Sequence, residues 1–121
     1  MKIETKRVYE KPSPDDGYRI LVDRIWPRGI SRERAGIDLW LKEIAPSTDL
    51  RKWFGHDPAR WHQFRKRYFE ELDNKPEQVA SILKTLADQD CTILFAAADT
   101  KHNNAGALAE YLRSREGKDG R

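Results

Sequence analysis

Tyr18-Arg19-Ile20-Leu21-Val22-Asp23-Arg24-Ile25-Trp26-Pro27 decides the fold. Its apolar run, Ile20-Leu21-Val22, is hydrophobic on both alternating faces, as a strand covered on both sides must be, and Pro27 stops it. A second run of this kind is Cys91-Thr92-Ile93-Leu94-Phe95-Ala96-Ala97-Ala98. Two such strands call for a parallel or mixed sheet with helices on both faces, and so for an α/β domain. The first of them is read as the central strand.

Outward from these runs, residues 3–9 alternate Ile3, Thr5, Arg7 and Tyr9 with charged neighbours and read as a half-buried strand at a sheet edge, which makes about three strands. Residues 11–17, rich in Pro, Asp and Gly, form a turn between the first two. Asp57-Pro58 marks a helix start, and Trp61, Phe64, Tyr68, Phe69 and Leu72 form a stripe on one helical face. Val79, Ile82, Leu83 and Leu86 repeat the pattern over residues 77–88, as do Ala105, Leu108, Ala109 and Leu112 over residues 104–115. Ser47 caps a short helix over residues 48–54, which Gly55 ends. Ile37, Trp40, Leu41 and Ile44 fit a helical stripe, while Ile37, Leu39 and Leu41 alternate like a strand; the helix is preferred.

The chain has 121 residues, enough for one core, so residues 1–115 are expected to form one domain and residues 116–121, without an apolar side chain, a flexible tail. Hydrophobic residues make up 38% and charged residues 36%; the twelve aromatic rings, four each of Trp, Tyr and Phe, exclude a disordered chain. With 23 basic and 20 acidic side chains dispersed along the sequence, no dedicated polyanion-binding tail exists. A single cysteine, Cys91, excludes an internal disulfide, and no run of about 20 apolar residues provides a membrane span, so a cytoplasmic protein without a membrane partner is expected.

Three clusters carry chemistry. Asp23, Arg24, Trp26 and Arg28 lie where the central strand ends, the place where open α/β sheets bind ligands. The arginines offer planar donor forks for phosphate or carboxylate, Trp26 a face for stacking, and Asp23 a carboxylate for acid–base work. The same residues also fit a structural ion pair with Trp26 in the core. His102, Asn103 and Asn104 follow the second buried strand at the start of the last helix, where free N–H groups favour anions and His102 adds a catalytic candidate; they equally fit a plain helix cap. Trp53 and His56 close the short helix: Trp53 as a stacking platform, His56 as a side chain type suited to general-base chemistry. Neither a nucleotide-binding glycine motif nor a hydrolase or zinc-protease motif occurs, and the three histidines form no metal set with Cys91. The cofactor and the oligomeric state are unknown at this level.

Tyr18 to Gly29, Trp40-Leu41-Lys42-Glu43-Ile44-Ala45-Pro46-Ser47, Leu50-Arg51-Lys52-Trp53-Phe54-Gly55-His56 and His102-Asn103-Asn104-Ala105 resemble the YeaO-like family of uncharacterised bacterial proteins over nearly the whole chain. That family is similar to a wider domain-of-unknown-function group with a V-D-x-R strand end and a late C-H-R loop. Here the arginine directly follows Asp23, and His102-Asn103 stands in place of Cys-His-Arg, so roles of that Cys and Arg do not carry over. The resemblance implies an α/β sandwich whose two loops meet, and it supplies no reaction. On the residues, the leading expectation is a protein that binds, or acts on, a small anionic or phosphorylated ligand. A nucleic-acid partner ranks second, and a structural or interaction module without ligand is the third alternative.

Overall fold

The computed structural model describes residues 2–119, without the side chains of 116–119. The two apolar runs become adjacent inner strands of a four-stranded, all-parallel sheet. Its elements are β1 (Ile3–Arg7), β2 (Tyr18–Leu21), β3 (Leu39–Trp40) and β4 (Cys91–Phe95), in the order β1-β4-β2-β3. β4 is the hub: Cys91 pairs with Ile3 on one side and Tyr18 on the other, and Leu94 with Lys6 and Leu21. Every residue of β4 is buried, which is why it reads as an unbroken apolar run. β1 takes the edge and runs parallel to β4, its outward Glu4 and Thr5 in water.

Helices cover both faces unequally. On the larger face α2 (Thr48–Phe54), α3 (Trp61–Asp73), α4 (Pro76–Asp88) and α5 (Asn104–Asp119) pack their stripes against Ile20, Val22, Ile93 and Phe95. On the smaller face, α1 (Arg32–Ala35) and the segment around it bury Ala35, Trp26, Ile30 and Trp40 against Leu21 and Leu94. Ser47 caps α2 by accepting from Leu50 N–H, and Gly55 ends it in the left-handed conformation at φ 53°. Asp57 caps a 3₁₀ turn over Pro58–Arg60 that leads into α3.

The helix preferred over residues 37–44 is a correction. Leu39–Trp40 form a two-residue edge strand beside Ile20 and Leu21, followed by a 3₁₀ turn over Lys42–Ile44. Ile37 and Trp40 pack on the smaller face and Leu41 and Ile44 on the larger, so the apparent stripe is divided between two sides of the sheet. α1 answers no sequence stripe: it has one buried residue, Ala35, between the Ser31 cap and Gly36. α5 runs to Asp119; of the tail expected at 116–121, residues 120 and 121 and the side chains of 116–119 lie outside the described residues.

One buried charge network pins the smaller face. Arg19, 4% exposed, donates to Asp16 at 2.5 Å and to the carbonyl oxygens of Ala35 and Gly36, and Lys6 reaches the same carboxylate at 3.2 Å. Burial works to raise the Asp16 pKa, but hydrogen bonds from Ser13 N–H, Lys6 and Arg19 outweigh it and hold the carboxyl below its ordinary value.

Candidate functional site

Topology opens a cleft at the carboxyl ends of the two inner strands. From β2 the chain departs toward the smaller face, where Trp26 and Ile30 pack; from β4 it departs toward the larger face and enters α5. The two loops part, leaving a crevice of about 440 Å³ between them, at the switch point where such sheets hold ligands.

The cleft brings together Asp23, Arg24, Trp26, Arg28, His56, His102, Asn103 and Asn104, and so collects residues from all three sequence clusters. Trp53 lies outside it. Its ring is covered by the guanidinium of Arg67 at 4.3 Å and that of Arg60 at 5.3 Å. Arg51, which carried no site role in the sequence reading, joins the lining. It precedes Phe54 by three residues on α2, so the two share a helical face, and Phe54 forms part of the cleft wall. That spacing was the available signal.

Asp23 is the cleft's central carboxylate. Its Oδ2 accepts from Ala96 N–H at 2.9 Å and its Oδ1 from Asn104 Nδ2 at 3.0 Å, tying the end of β2 to the end of β4 and the start of α5. Its carbonyl oxygen accepts from Trp40 Nε1 at 2.7 Å. Burial raises the Asp23 pKa above the ordinary carboxylate value, opposed by the hydrogen bonds from the Asn104 side chain and the Ala96 N–H and by the charges of Arg51 and His56.

The cationic groups differ in commitment. Arg24 donates to the carbonyl oxygens of Ala45 at 3.2 Å and Pro46 at 3.4 Å, so it fixes the approach to α2 without meeting a carboxylate. The guanidinium groups of Arg28 and Arg51 are exposed and meet no hydrogen-bond or ion-pair partner among the described residues. His56 holds a left-handed backbone, φ 57°, immediately after Gly55. It is the only non-glycine residue there among those described, and such conformations concentrate at functional sites.

On the opposite wall, His102 Nδ1 lies 2.9 Å from Asp99 Oδ2 and its ring meets Trp61 edge-on at 5.4 Å. The hydrogen bond to His102, with those from the Lys101 and His102 N–H groups, lowers the Asp99 pKa. Asn103, 3% exposed, is a helix cap: its Oδ1 accepts from Gly106 N–H at 2.8 Å and its Nδ2 donates to Asp99 O. Asn104 bridges to Asp23 and to Val22 O. Arg7 clamps the same loop from β1 by donating to the carbonyl oxygens of Ala96 and Ala97. The apolar wall contains the stacked pair Phe54 and Phe64, with ring centroids 4.4 Å apart, and the exposed large hydrophobics Tyr9 and Ile25 stand at the cleft too.

Chemically this is a cationic mouth over a floor with one carboxylate, walled by aromatic and aliphatic groups. Among the described residues no serine, threonine, cysteine or lysine lines it, and no cluster of three or more His, Cys, Asp or Glu forms a metal site. Cys91 sits at the opposite, amino-terminal end of β4, where burial pushes its thiol up to about 11.

Residues 2–120 match the family described as the inactive DUF488-N3 subclade. The chain is similar to the uncharacterised protein YeaO of Escherichia coli K12, 43% identical over 94% of this chain and 99% of that protein. It is also similar to the uncharacterised proteins Rv3073c of Mycobacterium tuberculosis H37Rv and Mb3100c of Mycobacterium bovis, each 39% identical over 94% of this chain and 96% of the relative. No solved structure matches. No described helix is long and apolar enough to cross a membrane.

Proposed function

The chain belongs to the inactive DUF488-N3 subclade, and from that premise we propose that it is a cytoplasmic binding protein for a small anionic ligand of the phosphate-ester type, held without chemical turnover. One observation carries the reading. Arg28 and Arg51, two guanidinium groups with no hydrogen-bond or ion-pair partner among the described residues, line the same 440 Å³ cleft as Arg24, His56 and His102. Charged side chains placed for solubility alone have no reason to converge on a concave site, whereas a phosphate is met by such donor forks. The family description favours holding over cleaving. On this reading Asp23 and His102, the acid–base candidates of the sequence, are ligand contacts.

Nucleic-acid association has weaker support. Trp53 has arginines over its ring, and Trp26 is engaged edge-on by Trp40 at 5.3 Å and covered by Arg32 at 5.1 Å. Bases would have to displace these contacts in order to stack.

Isothermal titration calorimetry with a panel of phosphate esters tests the proposal. A guanidinium–phosphate contact is worth about 1.5 kcal/mol at an exposed position, so Arg51→Ala is expected to weaken binding about tenfold. A panel without heat or thermal stabilisation at millimolar ligand overturns it.

A further inference from the structure

The floor of the cleft carries the opposite chemistry from its mouth. Each Asp23 oxygen accepts one hydrogen bond, from Ala96 N–H or from Asn104 Nδ2, and a carboxylate oxygen has room for about two. Both Asn104 amide hydrogens are used, on Val22 O and Asp23 Oδ1, and these two acceptors fix the amide orientation. Asn104 Oδ1 has no hydrogen-bond donor among the described residues, and since no fully buried side-chain polar atom there lacks a partner, that oxygen keeps some contact with solvent. Asp23 and Asn104 both line the cleft. Asp23 and Asn104 therefore offer acceptors at the floor, whereas Arg28 and Arg51 offer donors at the mouth. A bare anion satisfies the mouth and leaves the floor to water.

Resting on the anion-binding reading, we infer that the ligand is a hydroxylated phosphate ester, a sugar phosphate or nucleotide, whose phosphate meets Arg28 and Arg51 while its sugar hydroxyls donate to Asp23 and Asn104. The apolar wall fits this class. Tyr9 and Ile25, 41% and 61% exposed at the cleft, offer apolar surface against which a sugar's C–H face or a base can lie, and a cleft of about 440 Å³ falls within the ordinary range for small-ligand pockets. The carboxylate also selects: it repels a second anionic group at the floor and accepts only from a donor.

Calorimetry with the full chain separates the two levels. The probes are inorganic phosphate, ribose 5-phosphate, AMP, and tetrahydrofurfuryl phosphate, which keeps a five-membered ring and a phosphate ester but has no ring hydroxyl. Hydrogen bonds to a charged acceptor predict that ribose 5-phosphate binds about tenfold or more tightly than the hydroxyl-free ester. In Asp23→Asn that preference narrows while inorganic phosphate binds more tightly, because a nearby negative charge is gone; a merely structural Asp23 moves neither ratio. AMP binding more tightly than ribose 5-phosphate identifies a nucleotide, and equal or weaker binding a free sugar phosphate, both within the inferred class. Equal affinity of the wild-type protein for the hydroxyl-free ester and ribose 5-phosphate overturns the inference and leaves anion binding standing. Absence of binding by all four probes overturns both. Because the ligand series is run on wild-type protein, the test survives a variant that fails to fold.

Discussion

Asn104→Ala removes the strut that joins the ends of the two inner strands. It deletes a charge-assisted hydrogen bond to Asp23 Oδ1 at 3.0 Å and a neutral one to Val22 O at 3.1 Å. Net values of about 1.5–3 and 0.5–1.5 kcal/mol apply to such bonds, and water entering from the cleft restores part of the loss, so a cost of about 2 kcal/mol is expected. For a chain of 121 residues the unfolding entropy is about 0.25 kcal/mol/K, which converts that cost into a Tm about 8 °C lower. Urea denaturation followed by tryptophan fluorescence at pH 7, with Asp23→Ala and the double variant, isolates the pair itself, for which a coupling energy of about 1 kcal/mol or more is expected. The bond favours ionised Asp23, whose folded pKa burial nevertheless raises. The cost of Asn104→Ala is therefore greatest above the folded pKa of Asp23 and shrinks as the carboxyl protonates in acid, where the bond to Asp23 is no longer charge-assisted. A coupling energy below about 0.3 kcal/mol at pH 7, or one that does not change toward acid, refutes the strut.

Asp16→Asn is expected to cost about 3 kcal/mol at neutral pH by leaving Arg19 buried beside carbonyl oxygens alone. Because the folded pKa of Asp16 is lowered, its contribution is full above the unfolded value and lost as pH falls through the folded one; the gap between wild type and variant should therefore close in acid, as denaturation across pH will show. Gly17→Ala should destabilise by more than about 1 kcal/mol, since Gly17 adopts φ 65°, ψ −138° and an added Cβ would run into the Asp90 carbonyl; a thermal melt checks it. Tyr68→Phe leaves the Ile44 carbonyl without the buried hydroxyl that donates to it at 2.7 Å, for an expected loss of about 1–2 kcal/mol in urea denaturation.

Much of this molecule is legible along the chain where one physical signal dominates. Ile20-Leu21-Val22 and Ile93-Leu94-Phe95 cannot be solvated on either face, so they had to lie inside the sheet; Ser47 and Gly55 bound α2 because a cap and a left-handed stop are local chemistry. Residues 37–44 resisted because they carry two periods at once, and what decides between them is tertiary: the sheet edge beside Ile20 and Leu21. α1 is too short to generate a stripe. At the cleft, strand ends pointed to Asp23 and to the 99–104 loop, and Asp23, His102, Asn103 and Asn104 do line it, since position in a parallel sheet is a strong constraint. The place of Arg51 in the lining depended on how α2 rotates against the sheet, and the pairing of Asp23 with Asn104, 81 positions apart, on where α5 begins relative to β2. The spacing from Phe54 marks the helical face that Arg51 shares, but no local pattern says where that face points, and none encodes the pairing of Asp23 with Asn104.

Amide chemical-shift mapping on titration with ribose 5-phosphate bears most directly on the cleft as a binding site. Binding there predicts saturable shifts grouped at residues 23–28, 51–56 and 96–104, abolished together in Arg28→Ala/Arg51→Ala. Shifts that gather elsewhere on the surface, or that persist undiminished in the double variant, contradict it.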